Sequence, residues 1–182
     1  MPEPAAFLLG TLPTPIGTML LVFDEDAALR ALDWSDHEAR MRRLLRLHYG
    51  SAFALHEAAP PLAIRDPIDA YFSGDLCAID GLGVRHNGTP FQREVWAALR
   101  GIPAGTTLSY GALAQRLGRD KAVRAVGLAN GANPVGLVVP CHRVIGANAS
   151  LTGYGGGLHR KQWLLAHEGV ALGGRQGRLD LG

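Results

Sequence analysis

The sequence predicts an α+β, in part α/β, protein in two pieces. A small N-terminal domain with an antiparallel sheet and helices precedes a mostly helical C-terminal domain containing a helix-turn-helix. Three observations carry this. Short apolar stretches over 6–11, 17–23 and 28–34 alternate with turn signals, the pattern of a small meander. Residues 80–88 hold three glycines and an Asn-Gly pair, the composition of a connection. Beyond them come short helical stretches stopped by glycine or proline. The expected boundaries are 1–80 for the first domain, 81–88 for a linker, 89–169 for the second domain and 170–182 for a mobile tail.

The elements follow in order. Pro13, Pro15 and Gly17 mark the first turn of the meander, and Asp24-Glu25-Asp26 the second. Ser35 is placed to cap a helix reaching Tyr49, in which Met41, Leu44, Leu45 and His48 recur at helical spacing. Residues 51–57 suit another strand. Residues 61–73 suit a helix with Ile64, Ile68, Tyr71 and Phe72 on its apolar side, although Pro67 fits only a first turn. Thr89-Pro90 opens a helix that ends before Gly101, with Thr at N-cap and Pro at N1.

Helices over 110–117, capped by Ser109, and over 120–130 flank Gly118, the outline of a helix-turn-helix. The second is small-sided (Ala122, Ala125, Gly127, Ala129) and carries Lys121 and Arg124 near its start, where a recognition helix meets DNA. Residues 135–139 are continuously apolar and predict a buried strand. A loop rich in Gly, Asn and Ser then leads to a closing helix over 158–168.

Bulk properties narrow the function. Hydrophobic residues make up 47% of the chain and charged residues 19%, enough apolar content for a packed core and too little charge for a disordered chain. No apolar run is long enough to span a bilayer, and the N-terminus lacks the basic region of a signal peptide. Cys77 and Cys141 form neither a disulfide framework nor a CxxC motif, so a reducing, cytoplasmic setting is expected. Residues 1–89 hold 7 Lys and Arg against 12 Asp and Glu, whereas residues 90–182 hold 11 against 4. A basic second half is the footprint of a polyanion partner, although an uneven surface alone would produce the same asymmetry.

The chemistry centres on Cys141. A solitary cysteine is ordinarily an inert core residue. Here His142 and Arg143 follow it, and nearby basic groups raise the thiolate fraction. Glu168 falls at a helix C-terminus, where an acid opposes the dipole. Either it is a solvated end or it has a buried partner such as His142.

These residues belong to a longer pattern. Pro140-Cys-His-Arg-Val144 resembles the active-site signature of the O6-alkylguanine-DNA alkyltransferases. Phe91-Gln92, Val95-Trp96, Ile102-Pro103 with Gly105, Ser109-Tyr110, Arg124-Ala-Val-Gly127, Asn133-Pro134, Gly153-Tyr154 and Trp163-Leu-Leu-Ala-His-Glu168 match that family in order and spacing. The resemblance covers about residues 89–169.

It implies transfer of an alkyl group from guanine O6 in double-stranded DNA, and from thymine O4, to Cys141. Each molecule would act once, without cofactor or metal, after base flipping from the minor groove. It implies Cys141 as nucleophile and permanent acceptor, His142 as its base through a bridging water, Glu168 as the group orienting His142, and Asn133 as a hinge. Tyr110 would press on a phosphate and settle the flipped base, and Arg124 would fill the gap in the stack. Lys121, Ala125 and Gly131 would face DNA. Tyr110, Val144, Tyr154, Gly155 and Gly156 would form the base pocket. Carbonyls of Cys141 and Val144 would accept the guanine amino group, and the Gly155 amide would approach O6.

The expected partner is therefore DNA alone, with no membrane, no obligatory protein partner and a monomeric state; cooperative binding along DNA stays open. The chain lacks the Cys/His set that holds zinc in some relatives. No phosphotriester-sensing extension is expected, and so no role as an adaptive-response regulator. Residues 155–157, all glycine, predict a small, flexible pocket lip that tolerates bulky O6 substituents. A lesion-binding relative without chemistry would lack Cys141, a sequence-reading regulator would carry more base-reading side chains, and a cysteine hydrolase would need an oxyanion site.

Overall fold

The computed structural model describes residues 3–147 and 150–172. The expected tail lies outside the described residues beyond Leu172. The chain divides into two compact units, Met1–Gly88 with Pro134–Val138, and Thr89–Asn133 with Val139–Gly182.

In the first unit β1 (Ala6–Thr14), β2 (Gly17–Phe23) and β3 (Leu29–Trp34) form the predicted antiparallel meander. The Thr14 hydroxyl donates to Gly17 O at 2.6 Å and fixes its first turn. β1 extends through Pro13, which the sequence placed in the turn. A proline is tolerated there because the strand on β1's other side, β4 (Ala54–Glu57), pairs only with Ala6 to Leu9. β4 is parallel to β1, so the sheet is mixed, in the order β3-β2-β1-β4, rather than purely antiparallel.

Successive residues of a strand point to opposite faces. On one face Phe7, Leu20, Val22 and Ala31 pack with Met41 and Leu45 of α1 (Glu38–Tyr49). Ser35 does not cap this helix. Ser35–His37 is a separate 3-10 turn, and neither it nor α1 has a side-chain cap. The entry is held instead by Arg40, which donates to the buried Asp33 at 2.8 Å. In α2 (Leu62–Phe72) Pro67 lies inside the helix rather than in its first turn. The lost backbone bond is offset because Ile64, Ile68 and Tyr71 are all buried on one face.

The expected linker is not a free connection. Leu29 N–H donates to Gly83 O and Arg85 N–H to Leu29 O, at 2.8 and 2.9 Å, and Arg85 pairs with Asp24 and Asp26. The expected strand over 135–139 is likewise absent. Val135 makes a single bridge to Leu32, after which Leu137 takes a φ of 70° and the chain turns away. The apolar run records burial, not pairing, and both segments cover the open edge of β3.

The second unit opens with α3 (Pro90–Arg100). Thr89 accepts from Gln92 N–H, and the Gln92 side chain accepts from Thr89 N–H, a complete capping box. β5 (Leu108–Ser109) leads into α4 (Tyr110–Arg116), which Ser109 caps at 3.0 Å. α5 (Val123–Gly131) packs on α4 and α3. It begins later than predicted, so Lys121 lies in the turn before it. A 3-10 turn (Cys141–Arg143) runs into β6 (Val144–Ile145), and α6 (Leu158–His167) closes the unit. Trp96, Leu99, Leu113, Val126, Val144 and Leu164 are among its core residues.

Replacing Thr89 by Ala removes the cap hydrogen bond to Gln92 N–H. The expected cost is about 1 kcal/mol of unfolding free energy, read by urea denaturation; a change within ~0.2 kcal/mol would mean that the capping box is idle in this unit.

Candidate active site

The site is assembled around the turn Cys141–Arg143, all three residues of which are buried. A 3-10 turn, and not the end of a strand, carries Cys141. It is positioned by β5 and β6, which pair in parallel with Leu108 opposite Val144 and Ser109 opposite Ile145. This pairing sets the start of α4, with Tyr110, beside the turn that carries Cys141.

Glu168 is the C-cap of α6 and is buried. Arg143 grips it with a two-bond fork, Nε to Oε2 at 3.0 Å and Nη2 to Oε1 at 2.8 Å. The His142 Nε2 also lies 2.8 Å from Oε1. Burial works against the Glu168 charge, but the hydrogen bonds and fields of His142 and Arg143 outweigh it and hold the carboxyl far below its usual range. His142 moves down as well. Burial is the main cause, the fields of Arg143 and Lys161 add to it, and Glu168 opposes them.

The imidazole is therefore neutral, with Nε2–H donating to the carboxylate. That tautomer puts the lone pair on Nδ1. Nδ1 is buried and has no hydrogen-bond partner among the described residues. A buried lone pair on the residue next to a thiol is a base without a proton.

The loop after α3 braces this arrangement. Arg143 Nη1 donates to Ile102 O at 2.6 Å. Gly105 has a φ of 81°, and a Cβ on it would stand 3.0 Å from Glu168 O, so both conformation and space favour glycine. Asn133 is buried, and its Nδ2 donates to Val139 O at 2.8 Å. This bond joins the two points where the chain leaves and re-enters the second unit.

A cleft of about 510 Å³ runs along α5, lined by Tyr110, Val123, Arg124, Gly127, Leu128, Gly131, Thr152, Gly153 and Gly155 among others. Of the residues expected to contact DNA, Arg124 and Gly131 line it; Lys121 and Ala125 are exposed nearby but outside it. Of those expected in the base pocket, Tyr110 and Gly155 line it, whereas Val144, Tyr154 and Gly156 do not. Val144 is buried, and its carbonyl accepts from Lys161 at 2.7 Å. The Gly156 carbonyl accepts from Arg160 at 2.9 Å, so the glycine lip is small but braced. A larger groove of about 620 Å³ between β1 and the segment after β4 contains neither cysteine nor histidine. Among the described residues no group of His, Cys, Asp and Glu is placed to hold a metal ion. No helix there is long and apolar enough to cross a membrane.

Two residues of the site escaped the sequence reading. Arg143 was read as positive charge near the thiol, not as the main partner of Glu168. Lys161 was not singled out at all, although it shares a helical face with Leu164, Leu165 and Glu168, the spacing of a buried position.

Comparison with known proteins converges on one family. The model of the 6-O-methylguanine DNA methyltransferase DNA-binding domain matches residues 90–170. The methylated-DNA–protein-cysteine methyltransferase of Salmonella typhimurium is 52% identical over 160 residues, which is 87% of this chain and 94% of the relative. That of Shigella flexneri is 50% identical over the same shares of both chains. The crystal structure of the Mycobacterium tuberculosis OGT in complex with DNA superposes with a TM-score of 0.71 at 37% identity, covering 89% of this chain and 93% of that one.

The buried charges set a pH dependence. Folded His142 refuses a proton that the unfolded chain accepts below about pH 6.5, so stability falls as pH drops through that range. The Glu168 contribution is present above the ordinary carboxyl range and is lost only in stronger acid. Urea unfolding of wild type at pH 7.5 and 5.5 should show the loss, and His142→Gln should flatten it; an equal slope in the variant refutes the assignment. Glu168→Gln leaves Arg143 buried without a counter-charge and should cost about 3 kcal/mol or more.

Proposed function

The chain belongs to the methylated-DNA–protein-cysteine methyltransferase family, and from that premise we propose that it repairs DNA by taking the alkyl group of O6-alkylguanine, and of O4-alkylthymine, onto Cys141. One observation carries the reading. A buried cysteine is followed by a buried histidine whose Nε2 is anchored by Glu168 and whose Nδ1 has no hydrogen-bond partner among the described residues.

The chemistry follows from the Nε2–H tautomer. Nδ1 takes the thiol proton, directly or through one water. The sulfur attacks the alkyl carbon; the S–C bond forms as the C–O6 bond breaks, and the electron pair leaves with the guanine. The proton released by the thiol ends on the base, so no co-reactant or cofactor is consumed. Water does not cleave a thioether, so the acceptor is spent after one transfer. The arrangement shares the nucleophile, base and carboxylate of the hydrolase triads but needs no second, deacylating step.

A lesion inside a duplex must be turned out of the stack, at a cost of a few kcal/mol that damage reduces. Arg124 is exposed at the cleft and serves as the side chain that fills the gap. Tyr110, which lines the same cleft, receives the extruded base. The Asn133 bond to Val139 links the end of α5 to the acceptor turn, which fits a hinge. Lys121 supplies phosphate contact from the turn before α5. The protein acts as a monomer on DNA in the cytoplasm, without an obligatory partner.

After reaction with duplex DNA carrying O6-methylguanine, mass spectrometry should find one added methyl per chain, on the Cys141 peptide. DNA that loses its methyl while Cys141 stays unmodified would sink the mechanism. Arg124→Ala should slow repair of duplex DNA about tenfold or more, in line with a lost groove contact of ~1–3 kcal/mol. It should leave reaction with free O6-alkylguanine base nearly unchanged; equal losses on both substrates argue against stack filling.

A further inference from the structure

Asn130 is a buried amide that the chemistry above does not use. It lies on the inner face of α5, one turn after the buried Val126, and is 5% exposed. It is not a helix cap: α5 runs on to Gly131, and Ala132 is the C-cap. Its Oδ1 is buried and has no hydrogen-bond partner among the described residues. Leucine has a similar volume and would fill the position without burying an unpaired acceptor, which is destabilising. Asn130 is also one of the residues that line the cleft of Tyr110, Arg124 and Gly155. An unpaired acceptor on a cleft-lining residue suits a ligand that brings an N–H donor.

The other acceptors expected to meet the base are already engaged. The Cys141 carbonyl accepts from Val144 N–H, and the Val144 carbonyl from Lys161 Nζ at 2.7 Å. The Tyr110 hydroxyl accepts from Thr152 at 3.4 Å. The chemistry of the lesion identifies the donor. Alkylation at O6 removes the proton from guanine N1, so the exocyclic amino group is the sole N–H donor left on that base. Alkylation at O4 removes the proton from thymine N3 and leaves that base with no N–H at all.

We propose that Asn130 is a base-recognition residue whose Oδ1 accepts a hydrogen bond from the amino group of the turned-out O6-alkylguanine, and that this bond ranks alkylguanine above alkylthymine as a substrate. The inference rests on the alkyl-acceptor reading and deepens it. Alkylguanine satisfies the buried oxygen; alkylthymine covers it and leaves it unpaired. A site built to pair a polar group rejects an analogue lacking the partner more strongly than it rejects a small change of apolar bulk. The bond takes no part in breaking C–O6. It sets which base is held, and the transfer itself stays with Cys141.

The test removes each partner of the bond in turn. O6-methylhypoxanthine is O6-methylguanine without the amino group, and Asn130→Leu removes the oxygen at nearly constant volume. Duplexes carrying either base are compared by single-turnover methyl transfer to Cys141, followed by mass spectrometry, and by equilibrium binding. Wild type should favour the guanine duplex by about tenfold or more in rate. In Asn130→Leu that preference should fall by about tenfold, and the lag of O4-methylthymine behind O6-methylguanine should narrow with it. A guanine preference of the same size in wild type and Asn130→Leu would make the amide structural and overturn the proposal. So would equal wild-type rates on the guanine and hypoxanthine duplexes, a measurement that needs no variant to fold. If no duplex methylates Cys141, the acceptor reading fails; the affinities of wild type and Asn130→Leu for the two duplexes then decide the bond by themselves.

Discussion

The carboxylate of Glu168 lies inside the protein, where an unpaired charge would cost several kcal/mol. Its partners come from one short turn: the fork of Arg143 and the Nε2 of His142. Arg143 reaches on to Ile102 O, and Gly105 lies against the Glu168 backbone. The last turn of α6, the turn Cys141–Arg143 and the loop after α3 are thereby fixed to one another through a single ion pair. Buried pairs seldom add net stability over apolar residues of the same volume, but they penalise every arrangement that separates them. Here the penalty falls on any displacement of the turn that holds Cys141.

The same pair decides the chemistry of His142. Arg143 balances the charge of Glu168, so the carboxylate has no need of an imidazolium and settles for a hydrogen bond from a neutral ring. Burial and the nearby cations Arg143 and Lys161 push the imidazole further from protonation. A base is useful only when it is unprotonated, and burial with the nearby cations favours that state. Without the arginine, the carboxylate would draw a proton onto His142 and block the lone pair on Nδ1. In the proposed chemistry Arg143 therefore acts on the thiol through Glu168 and His142 rather than by proximity alone.

The sequence revealed elements whose reasons are local. Thr89 and Ser109 announce helix starts because a cap is read from neighbouring residues, and the meander is legible from its turn residues. It misled where burial came from elsewhere. Val135, Leu137, Val138 and Val139 are apolar because they are buried, not because they pair as a strand. Pro67 sits inside a helix because tertiary packing outweighs its propensity. Cys141, His142 and Glu168 were found through a motif, whereas Lys161 was missed because a lysine on a basic helix reads as solvated. Only its phase with Leu164, Leu165 and Glu168 betrays it.

The recognition helix is the last piece of the physical account. α5 exposes Val123 and Leu128, the latter at 71%, and places Gly127 against the ring of Tyr110. A helix that reads sequence presents amides and charges toward base edges; this one presents methyl groups, a glycine and one arginine. An apolar, small-sided face can approach a groove closely and contact sugars and unstacked bases without preferring any sequence. That is the property a protein needs when its target is defined by damage and not by neighbours. The basic balance of residues 90–182 supplies the sequence-independent attraction to phosphate. Under the proposed function affinity and discrimination are thus divided: charge draws the protein to the duplex, and the cleft beside Tyr110 would take a base turned out of the stack.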